Sequence, residues 1–240
     1  MSKLPARIGF WASIAETLVT LVYIIGLVIL IAAALSQHSP SDLAAQQQWT
    51  NMITYAQQYA ENPVSLRIGL LVQASAFLAG ILILVVFLAI HEMVDPNLKI
   101  VTRIASAFVL MMATLSSWGY YVQWASVHQA IMSGGDLEGL AQFAESNISS
   151  PGMATLQLSW ALFYGIASLL ILPAFGRTRI EKWIKAGFLF NGLIAVVVGI
   201  AYACGITSIL PLAILGLIGA SFVYPLLALR FHKYVKKAPE

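Results

Sequence analysis

The chain has 240 residues, of which 60% are hydrophobic and 10% are charged, and its formal net charge is +3. Soluble domains carry about 25% charged residues, so this composition excludes a soluble fold and makes the lipid bilayer the expected partner. The single cysteine, Cys204, excludes an internal disulfide framework and a cysteine-rich metal site. The basic residues form no stripe, so we expect no nucleic-acid partner.

Six apolar stretches are long enough to cross a membrane, which takes about 20 residues in a helix. The apolar runs are continuous rather than alternating, which excludes a transmembrane β-barrel. The sequence therefore predicts an all-α polytopic membrane protein, a six-transmembrane-helix bundle that forms a single domain over residues 1–240. The predicted spans cover residues 8–36, 66–91, 104–129, 153–175, 184–204 and 208–229.

The first predicted span follows Lys3 and Arg7, a pattern shared with signal peptides. Its apolar part is about twice the usual length of a signal sequence, and it contains Glu16, so we interpret it as an uncleaved span. An ionisable residue inside a membrane is costly and is by default a functional candidate. Asn191 in the fifth predicted span has a similar calculated depth. We therefore expect a neutral Glu16 that is hydrogen-bonded to Asn191, either to join helices or to form a proton, cation or catalytic-acid site.

The positions of Lys and Arg predict the orientation, because these residues concentrate on cytoplasmic segments. If the N-terminus is cytoplasmic, every basic residue except Arg67 lies on the cytoplasmic side. An even number of spans then places both termini in the cytoplasm. We expect the protein to reside in the cytoplasmic membrane of a bacterium or an archaeon.

Two predicted external segments are long. Residues 37–65 carry Trp49 and other apolar residues among Gln and Ala, which favours a helix on the membrane surface or a lid. Residues 131–152 contain a glycine break and then a predicted short helix at 136–143. Asn147-Ile148-Ser149 within this segment is a glycosylation sequon, a triplet that is common by chance.

The second predicted span ends in a charged run that begins with His91 and Glu92 and closes with Asp95. His91 and Asp95 are four residues apart and share a helix face, but the second histidine of a zinc-binding HExxH motif is missing, so we expect no metal. One interpretation is a polar helix end followed by Pro96. The alternative is an intramembrane lipid-modifying enzyme with Glu16, His91 and Glu92 as acid–base groups.

Polar and aromatic residues recur every three or four positions on the third and fourth predicted spans, so each set forms a stripe on one helix face. The stripe of the third span consists of Thr114, Ser117, Tyr121, Trp124 and His128, and that of the fourth consists of Gln157, Trp160, Tyr164 and Ser168. Tyr120 and Gln123 flank the first stripe. A polar group that faces hydrocarbon without a partner costs roughly 1–3 kcal/mol, so we expect both stripes to face inward and to line one space near the outer end. An interfacial aromatic belt is the alternative. The predicted ligand-binding residues are Gln73, Ser117, Tyr121, Trp124, His128, Gln157, Trp160 and Tyr164.

We expect no cofactor. A haem would need two histidines at one depth. His91 lies on the inner side and His232 in the C-terminal tail, so only His38 and His128 on the outer side could meet, and His38 lies in a loop. A bound retinal would need a lysine in the middle of the membrane, whereas Lys185 lies at the cytoplasmic edge.

Three short runs stand at the ends of predicted spans. They are Ala6-Arg7-Ile8-Gly9, Tyr120-Tyr121-Val122-Gln123 and Arg179-Ile180-Glu181-Lys182-Trp183-Ile184-Lys185-Ala186-Gly187. Together with the six-span layout, these runs resemble those of bacterial and archaeal six-span integral membrane proteins of unknown function. The resemblance covers most of the chain and implies the same architecture, and it implies no catalytic residue.

The sequence favours a non-enzymatic membrane protein with an outward-facing pocket for a small apolar or amphipathic ligand. Such a protein would be receptor-like, a carrier or an accessory subunit. The lipid-modifying enzyme is one alternative, and a structural subunit of a homo-oligomer or membrane complex is another. The position of a bound ligand in the membrane discriminates between the binding protein and the enzyme. A ligand in the outer half favours the binding protein, whereas one beside Glu16 and His91 favours the enzyme.

Overall fold

The computed structural model describes residues 3–37, 63–134, 140–143 and 150–237. Within these ranges, six helices are long and apolar enough to cross a membrane, which confirms the predicted number of spans. The chain is therefore an all-α integral membrane protein. Most of the predicted surface segment 37–65 falls outside the described residues, as do residues 136–139 of the predicted short helix, the sequon at Asn147 and His38.

Five of the six spans begin before the apolar stretches that predicted them, because polar residues at their starts are also helical. The membrane-length helices, numbered span one to span six, are Lys3–Leu30, Arg67–Met93, Pro96–Ser133, Pro151–Ala174, Arg179–Ala203 and Thr207–Lys236. The long α-helical segments within and around them are Lys3–Gln37, Pro63–Met93, Lys99–Val122, Arg179–Ala203 and Ala213–Lys237.

Local capping explains where spans four and five begin. The Thr178 hydroxyl accepts a hydrogen bond from the Glu181 backbone N–H, and the Glu181 carboxylate accepts one from the Thr178 N–H, which together form a capping box. This box starts span five at Arg179 rather than at the predicted residue 184. Ser150 caps span four by a single hydrogen bond, since its hydroxyl accepts from the Met153 backbone N–H, and Pro151 stands at the first helical position.

Spans three and four each depart from α-helical geometry for a short stretch. Residues Gln123–His128 and Gln157–Phe163 form π-helical turns. Such turns are rare and occur frequently at functional sites. The α-helical segment Pro151–Leu156 precedes the second turn, and Tyr164–Leu170 follows it. Within the segment predicted to be external, Leu140–Phe143 is a 3-10 turn, and the Phe143 ring lies 6.1 Å from that of Trp118.

Neighbouring spans pack in an order that decides which residues meet. Span one packs mainly against spans two and six, and span five packs mainly against spans four and six. Small residues permit the closest of these contacts, as is common in membrane bundles. A Cβ atom added to Gly192 of span five would lie 2.8 Å from Leu169 Cδ2 and 3.0 Å from the Gly165 carbonyl oxygen in span four. We refer to the end of the bundle that carries Arg7, Lys99 and Arg230 as the basic end.

Candidate functional site

The polar stripe of span three faces outward, contrary to prediction. Tyr121 is 59% exposed and Trp124 is 45% exposed, so the expectation that they point into the bundle is wrong. Tyr121 lies 22 residues beyond Lys99, which is about 33 Å along a helix and near the far boundary of a hydrocarbon core of about 30 Å. These two side chains therefore match the alternative of an aromatic belt.

Local hydrogen bonding explains why the outward orientation is tolerated. The Thr114 hydroxyl donates to the Leu110 carbonyl of its own helix at 2.9 Å, so it can face lipid without an unsatisfied donor. The inward face of span three is instead built from small and apolar residues, including Ala105, Val109 and Ala113. Helices approach each other more closely across such a face.

The remaining predicted binding residues lie in different surroundings. Ser117 and His128 are half-buried. Gln157 is also half-buried, and its amide donates to the Met153 sulfur at 3.9 Å. The Gln73 amide donates to Gln123 Oε1 at 3.5 Å, which brings spans two and three together. The stripes therefore do not line one common space, and ligand binding by their inward members stays a prediction.

Trp160 and Tyr164 of span four do face the interior. Their rings meet edge to face with centroids 6.0 Å apart. The Trp160 indole N–H is buried, and no described residue accepts its hydrogen bond. Tyr164 is buried, and its hydroxyl lies 2.6 Å from the hydroxyl of Tyr224 in span six. Tyr164 therefore belongs to the deep interior of the bundle rather than to an outer pocket.

Glu16 of span one is buried beside these tyrosines. It is 1% exposed, and it interacts electrostatically with the hydroxyl groups of both Tyr164 and Tyr224. Glu16 Oε1 accepts a hydrogen bond from Thr20 of the same helix at 3.0 Å. Glu16 Oε2 is buried and has no hydrogen-bond partner among the described residues, and the same holds for the neighbouring Ser13 hydroxyl.

The predicted hydrogen bond between Glu16 and Asn191 is wrong. The Asn191 amide donates instead to the Ser168 hydroxyl of span four at 3.0 Å. The packing order explains the difference, because span five packs mainly against spans four and six, whereas span one packs mainly against spans two and six. Similar depth in the membrane therefore did not make these two residues neighbours.

Seven buried polar side chains from spans one, four, five and six thus lie in one part of the interior. Ser168 connects Asn191 of span five to Tyr164 of span four, since it accepts a hydrogen bond from the Asn191 amide and interacts with the Tyr164 hydroxyl. Glu16 is nine residues from Arg7 and Tyr224 is six from Arg230, so they lie about 9–14 Å inward from the basic end. We call this set the buried polar network, and it consists of Ser13, Glu16, Thr20, Tyr164, Ser168, Asn191 and Tyr224.

The charged run at the end of span two makes contacts between chain segments. His91 Nδ1 lies 2.7 Å from the Thr102 hydroxyl in span three. Glu92 lies 3.9 Å from the Lys99 ammonium group, and Asp95 pairs with Arg177 of the loop before span five. These contacts agree with the interpretation of a polar helix end. In the described part of the chain, no group of three or more His, Cys, Asp or Glu could hold a metal ion.

Sequence reasoning missed two features of the interior. Tyr224 stands alone in an apolar stretch before Pro225, so no periodic pattern marks it. Glu181 and Arg230 form a buried ion pair, with Arg230 Nε 2.8 Å from Glu181 Oε1. The capping pattern Thr178-x-x-Glu181 was the available signal for Glu181, and nothing in the sequence joined it to Arg230.

Comparison of the chain with protein-family models, with curated proteins and with solved structures finds no match. The function must therefore be inferred from the geometry of the described residues.

Proposed function

We propose that this protein carries protons across the membrane and that Glu16 is the proton-binding group. The observation that supports the proposal is the hydrogen bonding of the Glu16 carboxyl group. One oxygen accepts from Thr20 on the same helix, and the other is buried without a partner among the described residues. Carboxyl groups at such depth in membrane proteins typically belong to ion pathways and proton relays.

A purely structural role explains Glu16 less well. Polar residues that hold membrane helices together form hydrogen bonds between helices. The Tyr164–Tyr224 and Asn191–Ser168 bonds do join different spans. The hydrogen bond of Glu16 joins only residues of span one. The network therefore contains its own interhelical bonds and, beside them, a carboxyl group that is free to exchange a proton.

The tyrosine pair offers a way to link protonation to movement. A tyrosine hydroxyl can donate one hydrogen bond and can also accept. When Glu16 loses its proton, its new negative charge would act on the hydroxyl groups of Tyr164 and Tyr224, which lie within its electrostatic reach, and would reorient their O–H dipoles. The contact between spans four and six would then loosen. A group whose two charge states favour two helix arrangements can take up its proton in one arrangement and release it in the other.

Polar side chains continue from the network towards the opposite end of the bundle. The Trp160 ring contacts Tyr164, and the Gln73–Gln123 hydrogen bond joins spans two and three. Trp160 also packs against the small cluster formed by Tyr120 and Leu156. These groups would line the route that a proton takes when the spans separate, with the basic end in the cytoplasm as the positive-inside rule predicts.

The test is proton flux into liposomes that contain the full-length protein and an internal pH-sensitive dye. We expect an external acid pulse to acidify the interior faster than in protein-free liposomes. Glu16→Gln should reduce the rate to that of protein-free liposomes. Glu92→Gln is the matched control, because Glu92 is exposed at the basic end, and it should retain the flux of the unmodified protein.

Two outcomes would contradict the proposal. The first is equal flux for Glu16→Gln and the unmodified protein, and the second is flux no faster than in protein-free liposomes. Infrared difference spectra recorded between low and high pH provide an independent measurement, because a titrating buried carboxyl group gives a carbonyl band. That band should disappear in Glu16→Gln and persist in Glu92→Gln.

A further inference from the structure

A cavity of about 310 Å³ opens at the basic end, where the loop between spans four and five meets the end of span six. None of the residues that line this cavity belongs to the buried polar network. Its polar walls and rim are formed by Thr178, Arg179, Glu181, Arg230, Lys233 and Tyr234.

Arg230 is the innermost cation of this cavity. The residue is only 6% exposed, and its guanidinium group lies over the rings of Phe175 and Tyr234 at 5.1 and 5.2 Å. Its Nε donates to Glu181 Oε1 at 2.8 Å. Its Nη1 is buried, and no described residue accepts a hydrogen bond from it. A buried charged donor without an acceptor costs folding free energy. A bound anionic ligand could supply the missing acceptor.

The acidic residue in the cavity is already fully engaged. Glu181 Oε2 accepts from the backbone N–H groups of Arg177 and Thr178 at 3.0 and 3.1 Å, while Oε1 accepts from Arg230. The carboxylate therefore fixes the helix start and orients the guanidinium group. Arg179 and Lys233 are exposed, and neither has an acidic partner of its own among the cavity residues. Three basic side chains against one acid give the cavity a positive charge.

The surroundings place this positive cavity at the level of lipid headgroups. Trp183, one turn into span five, is 63% exposed, and tryptophan is enriched at the membrane interface. Basic pockets between helices at this depth bind anionic headgroups. The guanidinium group suits phosphate in particular, because its planar donors match two phosphate oxygens.

We propose that this cavity binds the phosphate group of an anionic ligand, with Arg230 as the inner donor and Arg179 and Lys233 as rim cations. Two sources share this chemistry. One is the headgroup of an anionic phospholipid in the adjacent leaflet, and the other is a soluble phosphate ester. Glu181 acts here as a positioning residue, because it holds the Arg230 guanidinium without facing the phosphate itself.

The experiment measures thermal stabilisation of the full-length protein in detergent by three probes. These are short-chain phosphatidylglycerol, short-chain phosphatidylcholine and glycerol phosphate. The test variant is the double substitution Arg179→Gln/Lys233→Gln, which removes both exposed rim cations and leaves the buried ion pair intact. The control is Lys182→Gln/Lys185→Gln, because both lysines are exposed near the same end, carry the same charge and do not line the cavity.

We expect phosphatidylglycerol to raise the melting temperature of the unmodified protein and of the control more than the zwitterionic lipid does. The test variant should bind phosphatidylglycerol more weakly by about fivefold for each basic residue removed, which corresponds to about 1 kcal/mol per residue. Arg230→Lys keeps a charge beside Glu181 but loses the planar donors, so it should also bind more weakly.

The outcomes separate the two sources. Stabilisation by phosphatidylglycerol alone identifies a lipid headgroup, whereas stabilisation by glycerol phosphate, together with competition against the lipid, identifies a soluble phosphate ester. Equal stabilisation by the anionic and zwitterionic lipids without any effect of glycerol phosphate would overturn the proposal. So would equal binding by the test variant and the control. Proton flux through Glu16 is a separate property, so neither result bears on the other.

Discussion

The hydroxyl oxygens of Tyr164 and Tyr224 lie 2.6 Å apart and join span four to span six inside the membrane. Both side chains are buried. In water such a bond would compete with solvent, but a buried hydroxyl in the bundle has few alternative partners. This bond therefore joins span four to span six in the part of the interior that also contains Glu16 of span one.

Removing one hydroxyl of this pair should destabilise the bundle, because the other hydroxyl then stays buried with a donor or acceptor unmet. We expect Tyr164→Phe and Tyr224→Phe each to lower the free energy of unfolding by about 1 kcal/mol. The double variant should lose clearly less than the sum of the two, since it leaves no orphaned hydroxyl.

Unfolding of the protein in mixed detergent micelles measures all three free energies. Tyr121→Phe is the matched control, because Tyr121 is exposed, and its hydroxyl removal should change stability by less than about 0.5 kcal/mol. Strict additivity of the two single substitutions would show that the hydroxyl groups do not interact.

The architecture was predictable from the sequence because a membrane span is recognised from the mean hydropathy of a whole segment rather than from single residues. Each apolar stretch must be about 20 residues long to satisfy the bilayer, and the described residues contain the predicted six helices of that length. Helix ends were less predictable, since a side-chain cap such as the one formed by Thr178 extends a helix beyond its apolar part.

The candidate site was predictable only in part. Glu16 stands out because an acidic residue within an apolar span is rare. The side chains that surround Glu16 depend on which spans pack against each other, and no periodic pattern in the sequence indicates this packing order. The outward orientation of Tyr121 and Trp124 was missed for a different reason. The energetic argument assumed that polar residues avoid lipid, whereas a threonine bonded to its own helix and aromatic residues at the interface do not.

The buried polar network predicts different roles for Glu16 and Asn191. The Asn191 amide joins span five to span four through Ser168, so Asn191→Leu should lower the free energy of unfolding by about 1 kcal/mol. Glu16→Gln keeps an oxygen that can accept from Thr20, so it should change stability by less than about 0.5 kcal/mol while abolishing proton flux. A larger loss of stability for Glu16→Gln than for Asn191→Leu would assign Glu16 a structural role instead. Both values come from unfolding in the same micelles.

The contact between spans four and five should be sensitive to one added methyl group. A Cβ on Gly192 would meet Leu169 and the Gly165 carbonyl oxygen at distances well below normal contact. We expect Gly192→Ala to cost about 1–3 kcal/mol, because the two helices must move apart. The control is Ala186→Leu, which adds more volume on the exposed face of the same helix. If Gly192→Ala were no worse than this control, the close packing of the two spans would be in doubt.

The orientation can be tested with the cysteine that the protein already contains. Cys204 is exposed directly after the helix of span five, at the end opposite to the basic residues. The positive-inside rule places the basic end in the cytoplasm. Cys204 should therefore react with a membrane-impermeant thiol reagent added to intact cells, and Cys204→Ala should abolish the labelling.

The same background allows the two ends to be compared. In the Cys204→Ala protein, Ser133→Cys at the end of span three should be labelled in intact cells, because Ser133 is exposed opposite to the basic end. Thr178→Cys lies in the loop before span five at the basic end, so it should be labelled only after the cells are permeabilised. Both positions are exposed, so a difference between them reports the side of the membrane rather than accessibility of the thiol. Labelling of Thr178→Cys, and not of Ser133→Cys, in intact cells would reverse the orientation and place the phosphate-binding cavity in the outer leaflet.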